Sequence, residues 1–174
     1  MIVVLMGVSS VGKTTLGKLL AAQTGWKFED ADDYHSEENR RKMATGIPLT
    51  DADRKPWLAA LHERMLYYLE KGETAIFACS ALKQKYRELL ASGSARREVS
   101  FIYLHAPAAL IKDRIRSRNH PYMNPDLLDS QLAELEVPPD AVSISVAGTP
   151  DEAVAEILLK LQEAGLPAAE AGKP

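Results

Sequence analysis

Gly7, Gly12, Lys13 and Thr14 stand at the spacing G-x-x-x-x-G-K-[ST]. Glycines at such positions let the backbone fold around a chain of phosphates with its N–H groups turned inward. Ser9, Ser10 and Thr15 complete the cradle. Lys13 brings a point charge to the β- and γ-phosphates, and the Thr14 hydroxyl is placed for Mg2+. The implied ligand is ATP with its metal. Three uses of it are open: transfer to a substrate, hydrolysis for work, or a switch.

The remaining carboxylates and motifs separate these uses. A guanine-nucleotide switch needs D-x-x-G and N-K-x-D, and neither string occurs in the chain. A motor ATPase would usually carry an acid at the end of a later apolar strand, whereas "TAIFACS" and "VSFIYLH" end without one. Acids follow the second strand candidate instead, in "EDADDYH". In a parallel sheet, ligands bind beyond the carboxyl ends of the strands, so Asp30 and Asp32 emerge beside the phosphate loop. Two residues apart in an extended segment, they point the same way. One can hold Mg2+ through water while the other takes the proton of an attacking hydroxyl. We assign Asp32 as candidate base and Asp30 as the metal-side carboxylate; the reverse fits the same spacing.

Further along come "DADDYHSEENRRKMATGIPLTDADRKPWL", from Asp30 to Leu58, and "CSALKQKYRELL", from Cys79 to Leu90. With "GVSSVGKTT" they carry the patterns D-x-D-x-x-H, K-M-x-x-G-x-P-L-x-D-x-D-R-x-P-W-L and C-S-A-L-K-x-x-Y-R. In these motifs, over roughly Ile2 to Glu136, the chain resembles the gluconokinase family of P-loop sugar-acid kinases. One position departs: family loops often read S-G-S-G-K where this chain has Ser10-Val11-Gly12-Lys13. The resemblance implies ATP-dependent phosphorylation of D-gluconate to 6-phosphogluconate, and a homodimer. Gluconate offers one carboxylate and a row of hydroxyls. Arg54 and Arg87 can fork onto a carboxylate, and Asp32, His35, Ser80 and Lys83 can serve hydroxyls. Trp57 reads as helix-face core, and Cys79 as a small buried residue rather than a nucleophile, since phosphoryl transfer needs no covalent intermediate. The alternatives are a shikimate kinase-like enzyme, against which the missing glycine triplet after the third strand counts, and a non-catalytic nucleotide-binding module.

"LIKDRIRSRNHPYM" sets Arg114 and Arg118 one helical turn apart. A lid is expected around 115–126, with Arg118 neutralising the transferring phosphoryl group, Arg114 on the nucleotide, and His120 a possible further member. "VAGTP" resembles the adenine-holding loop of related kinases.

These groups need a scaffold, and the apolar runs supply one. Ile2–Met6, Trp26–Asp30, Thr74–Ser80, Val99–Leu104 and Ala141–Val146 read as strands separated by helical segments. That alternation predicts a three-layer α/β/α P-loop fold with a five-stranded parallel sheet and a helical lid. Helices are expected over Lys13–Thr24, from an Asp51 cap to near Gly72, and from a Thr149 cap to about Gln162. Residues 1–165 form one expected domain, and 166–174 a flexible tail. The 174 residues are 46% apolar and 26% charged, with a net charge of −3. Those values fit a soluble globular protein and give no reason to expect a nucleic-acid partner. "MIVVLMG" lacks the basic flank and cleavage site of a signal peptide, no run approaches the roughly 20 apolar residues of a membrane span, and the single cysteine fits a reducing cytoplasm.

Overall fold

The computed structural model describes residues 1–117, 126–139 and 141–165. Its five strands are β1 (Ile2–Met6), β2 (Lys27–Asp30), β3 (Ala75–Ala78), β4 (Val99–His105) and β5 (Val142–Ser145). They form one parallel sheet in the order β2-β3-β1-β4-β5. The central strand explains the arrangement. All five β1 residues are buried, so it must be covered on both faces. Val3 and Leu5 face one layer, and Ile2, Val4 and Met6 the other.

The first layer is α1 (Lys13–Thr24), α5 (Ala108–Ser117), α6 (Asp126–Glu134) and α7 (Pro150–Glu163), which contribute Leu16, Leu20, Ile111, Ile115, Leu128, Val154, Ile157 and Leu161. The second is α3 (Asp51–Glu70) and α4 (Gln84–Leu90), with Trp57, Leu58, Leu61, Met65, Tyr68, Tyr86 and Leu90 packed on the sheet. The short α2 (Glu37–Ala44) lies between β2 and α3 in the chain. The two apolar clusters lie on opposite faces of the sheet, so it is held from both sides by apolar burial.

Local chemistry sets the element ends. Thr149 accepts from the Glu152 N–H, and the Glu152 carboxylate accepts in return from the Thr149 N–H, a complete capping box with Pro150 following the cap. The α3 cap lies one residue earlier than the sequence suggested. Thr50, not Asp51, caps the helix, because its hydroxyl reaches the Asp53 N–H while Asp53 returns the contact. The predicted strands are trimmed by one or two residues where pairing stops. The exceptions are β1 and β4, β4 running on to His105. α2, α4 and α6 were not anticipated as separate helices.

Register carries the function. Asp30 pairs with Ala78 across β2 and β3, and Leu5 with Ala78 across β1 and β3. The Gly7 N–H then donates to the Ser80 carbonyl at 3.2 Å. Three strand ends, carrying Gly7, Asp30 and Ser80, therefore finish side by side.

Candidate active site

The loop between β1 and α1 closes around Lys13. Its ammonium donates to the carbonyls of Gly7 at 3.0 Å and Val8 at 2.9 Å. Gly7 takes φ 141°, and a Cβ there would lie 2.6 Å from the Leu104 carbonyl oxygen, so no side chain fits. Gly12 is likewise left-handed at φ 112°, as is Ser10 at φ 59°. Val11 is fully buried, so the position that departs from the family pattern adds apolar packing under the loop. Among the described residues no side chain caps the first turn of α1, and its N–H groups are left for an anion. Burial pulls Lys13 below the ordinary lysine value, against the pull of Asp32 nearby.

Beside the loop, the Thr14 hydroxyl donates to Asp30 Oδ2 at 2.7 Å. Asp30 Oδ1 accepts from the Asp32 N–H at 3.1 Å and caps the 3-10 turn Ala31–Tyr34. One hydroxyl and one carboxylate at this spacing suit Mg2+, which takes few protein oxygens and completes its shell with phosphates and water. The pairing puts Asp30 with Thr14, and leaves Asp32 on the next residue but one, facing the same cleft.

That cleft has a volume of about 560 Å3. Lys13, Thr14, Asp30 and Asp32 line one end; His35, Arg54, Trp57 and Ser80 also line it. Ser9 and Thr15 belong to the same wall. His35 stacks on Trp57 with ring centroids 4.3 Å apart, and the Trp57 indole N–H donates to the Ala31 carbonyl. Trp57 is thus core, as expected, and its ring platform carries another side chain. His35 is 7% exposed, and its Nδ1 finds no hydrogen-bond partner among the described residues. Burial, with Arg40 and Arg54 adding to it, lowers its pKa to about 4, so the imidazole is neutral at physiological pH.

Arg54 is held in place. Nη1 donates to the Tyr86 hydroxyl at 2.9 Å, and Nη2 lies 3.0 Å from Glu134 of α6. The other two basic residues assigned to the acceptor stand elsewhere. Lys83 does not line the cleft; its ammonium is 3.2 Å from Glu134 and 3.9 Å from Asp51. Arg87 is buried, and its Nη1 donates to the carbonyls of Ala81 and Leu82, both at 2.9 Å. It braces the loop after β3, where Ala81 takes φ 43°, and it too is absent from the cleft wall. Cys79 is buried beneath, its thiol pushed up to about 12 by desolvation and so protonated.

A second cavity of about 120 Å3 lies across the phosphate loop, lined by Ser10, Gly12, Thr15, Arg114, Val146 and Gly148 among others. The Arg114 guanidinium donates to the Val146 carbonyl at 2.6 Å and the Val11 carbonyl at 3.4 Å. It ties the end of β5 to the phosphate loop, beside the "VAGTP" segment. Arg118 and His120, and with them most of the expected lid, lie outside the described residues.

Sequence reasoning missed α6. Its Gln131 accepts from the Ser9 N–H at 2.7 Å and donates to the Ser9 hydroxyl at 2.9 Å. Met43 and Leu49 of the motif also line the cleft, as does Arg40, which no motif position singled out. The signal for Gln131 and Glu134 was only their one-turn spacing on a polar helix face, which surface helices share.

A family model described as an AAA domain matches residues 2–138. The chain is 42% identical over 178 residues to a probable gluconokinase of Mus musculus, covering 94% of this chain and 96% of that protein. It is 40% identical over 162 residues to a gluconokinase of Gluconobacter oxydans strain 621H, covering 91% and 90% respectively. The crystal structure of a gluconokinase from Sinorhizobium meliloti 1021 superposes with a TM-score of 0.83 at 40% identity, over 93% of this chain and 91% of that one.

Proposed function

Because this chain belongs to the gluconokinase family of P-loop kinases, we propose that it phosphorylates D-gluconate from ATP, giving 6-phosphogluconate and ADP. The observation that carries the reading is the shared cleft: Lys13, Thr14, Asp30 and Asp32 face the same space as His35, Arg54 and Ser80. A phosphate donor and a polyhydroxy acid can therefore meet without either leaving its own half-site.

Each residue has a part in transfer. Lys13 and the loop N–H groups hold the β- and γ-phosphates. Thr14 and Asp30 would hold Mg2+, which when bound neutralises charge on the phosphate oxygens. Asp32 takes the proton of the attacking hydroxyl, and its neighbour Lys13 keeps the developing charges close to a cation. Arg54 receives the acceptor's carboxylate. Neutral His35 offers its unpaired nitrogen to a hydroxyl, and Ser80 offers another polar contact. Lys83 and Arg87 act at one remove, by setting Glu134 and the loop after β3. Arg114 flanks the base pocket, and Arg118 is assigned to the phosphoryl group from the lid around 115–126. Residues 1–165 work as one kinase domain, and the tail expected over 166–174 lies outside the described residues. A homodimer in a cytoplasmic setting completes the reading, on family resemblance and the single buried Cys79. No helix among the described residues is long and apolar enough to cross a membrane.

The test is ADP release from ATP with gluconate, idonate, shikimate or no acceptor. Release that depends on gluconate is expected. Release indifferent to acceptor would make the protein an ATPase, preference for shikimate would move it to the other sugar-acid kinases, and no release would make it a binding module.

A further inference from the structure

Both terminal nitrogens of Arg54 point at a carboxylate the chain itself supplies. Nη2 lies 3.0 Å from Glu134 Oε2 and Nη1 3.5 Å from Glu134 Oε1. One contact is close and the other, from the nitrogen that also donates to Tyr86, is at the limit of reach, a loosely closed version of the two-point geometry by which an arginine holds a carboxylate ligand. Lys83 adds its ammonium to the same Glu134 oxygen at 3.2 Å. Arg54 is 14% exposed and Glu134 28%, so the pair is only partly screened by water. Glu134 does not arrive on a loose side chain. One turn earlier, Gln131 fastens α6 to the phosphate loop through two hydrogen bonds with Ser9, and Leu128 is buried in the core below.

We propose that Glu134 is an internal stand-in for the acceptor's carboxylate: it fills the Arg54 fork, and acceptor binding exchanges one carboxylate for another and frees the end of α6. The inference rests on the reading that Arg54 receives the acceptor carboxylate. Two carboxylates cannot both sit on one fork without repulsion, so Glu134 must leave as gluconate arrives. The displaced group is on a helix that also touches the phosphate loop, so acceptor entry loosens the last turn of α6 while Gln131, one turn earlier, stays on Ser9. A partly exposed ion pair of this kind weakens gluconate binding by a modest factor, not by orders of magnitude.

The experiment uses the full chain with Glu134→Gln, which keeps length and helix propensity and loses the charge. Expected are a gluconate KM lower by about fivefold, the size of a partly screened ion pair, an ATP KM within about twofold of the parent, and a melting temperature lower by a few degrees, because the same ion pair is lost from the acceptor-free fold. Glucitol, the same carbon skeleton without a carboxylate, is tested as an inhibitor against gluconate, and its inhibition constant should not move. Glu134→Ala should give the same fall in gluconate KM and serves if the Gln variant misfolds. A gluconate KM that rises would show that Glu134 orients Arg54 for the substrate, and an unchanged KM would show that the two do not compete; either overturns the proposal. Equal tightening of glucitol and gluconate would make Glu134 a steric plug and overturn it too. Arg54→Lys separates this from the parent reading: if it leaves gluconate KM untouched, Arg54 is not the carboxylate site and both readings fall. If it raises that KM while Glu134→Gln does not lower it, only the stand-in fails.

Discussion

At Gly7–Thr14 most of the recognition groups are main-chain atoms, while at His35, Arg54 and Ser80 the acceptor side is built largely from side chains. The first region is held by the fold itself. The Gly7 N–H is fixed on Ser80, the Leu104 carbonyl leaves no room for a Cβ, and Lys13 is anchored on two loop carbonyls. The second region is held by side chains drawn from three helices. Arg54 of α3 leans on Tyr86 of α4 and Glu134 of α6, and His35 leans on Trp57. A backbone-built site depends on its glycines and on the one lysine anchored in the loop, and changes little with substitution elsewhere. A side-chain-built site can be retuned one residue at a time, which suits the half that must tell one acceptor from another.

The comparison can be broken most sharply at the junction of the two halves. Asp32→Asn removes the base while keeping the size of the side chain. We expect kcat to fall by about 10²–10⁴-fold with ATP affinity nearly intact. Steady-state kinetics beside ATP titration decides it: a lost ATP affinity with kcat held would put Asp32 on the metal side and make Asp30 the base, against its pairing with Thr14. Lys13→Ala tests the backbone half alone. Turnover should fall by about 10²–10³-fold or more, the scale for losing one preorganised charge-stabilising donor. The melting temperature should change by no more than a few degrees, since the ammonium is half-buried at the cleft and its loss is confined to two contacts with loop carbonyls. Near-normal turnover would show that the loop N–H groups suffice without the lysine.

Arg54→Lys tests the side-chain half. Lysine keeps the charge and loses the planar fork, so two contacts become one. The apparent gluconate KM should rise by roughly 10- to 150-fold, from about 1.5–3 kcal/mol for a hydrogen bond to a charged group, while ATP KM stays level. Equal rises in both KM values would place Arg54 at the phosphoryl group, between the two half-sites.

The two regions also differ in how far the sequence exposes them. The phosphate loop is contiguous, and its glycines and lysine are required by local backbone geometry, so eight residues suffice to read it. Strand-ending Asp30 could be placed because a parallel sheet delivers its carboxyl ends to one edge. The partners of Arg54 could not. Glu134 lies 80 positions away, and nothing in a polar helix face says which arginine it will meet. Arg87 shows the converse error. Its motif suggested a ligand contact, yet the left-handed turn at Ala81 leaves carbonyls that a buried guanidinium satisfies. The cap of α3 slipped by one residue because Thr50 and Asp51 are both good caps, and only the reciprocal bond to Asp53 chooses between them.

The last effect expected is on stability rather than turnover, and it comes from His35. Its ring is packed on Trp57 with an unpaired nitrogen, and burial beside Arg40 and Arg54 holds its pKa near 4 against an ordinary value of 6.5. The folded state therefore resists protonation while the unfolded chain accepts a proton from about pH 6.5 downward. Stability contributed by the neutral ring is present above pH 6.5 and is lost as the pH falls from 6.5 to about 4, levelling off below. The gap corresponds to about 3–4 kcal/mol when fully developed, or several degrees and more in melting temperature for a chain of this size. His35→Phe keeps an aromatic ring on Trp57 and removes the titrating nitrogen. Melting curves at pH 7, 6, 5 and 4 should show the parent losing more stability than the variant across that window, with the two curves converging in slope above pH 6.5. Parallel curves throughout would mean that His35 takes up its proton in the fold just as it does in the unfolded chain, and the reading of a ring held neutral by its burial would fall.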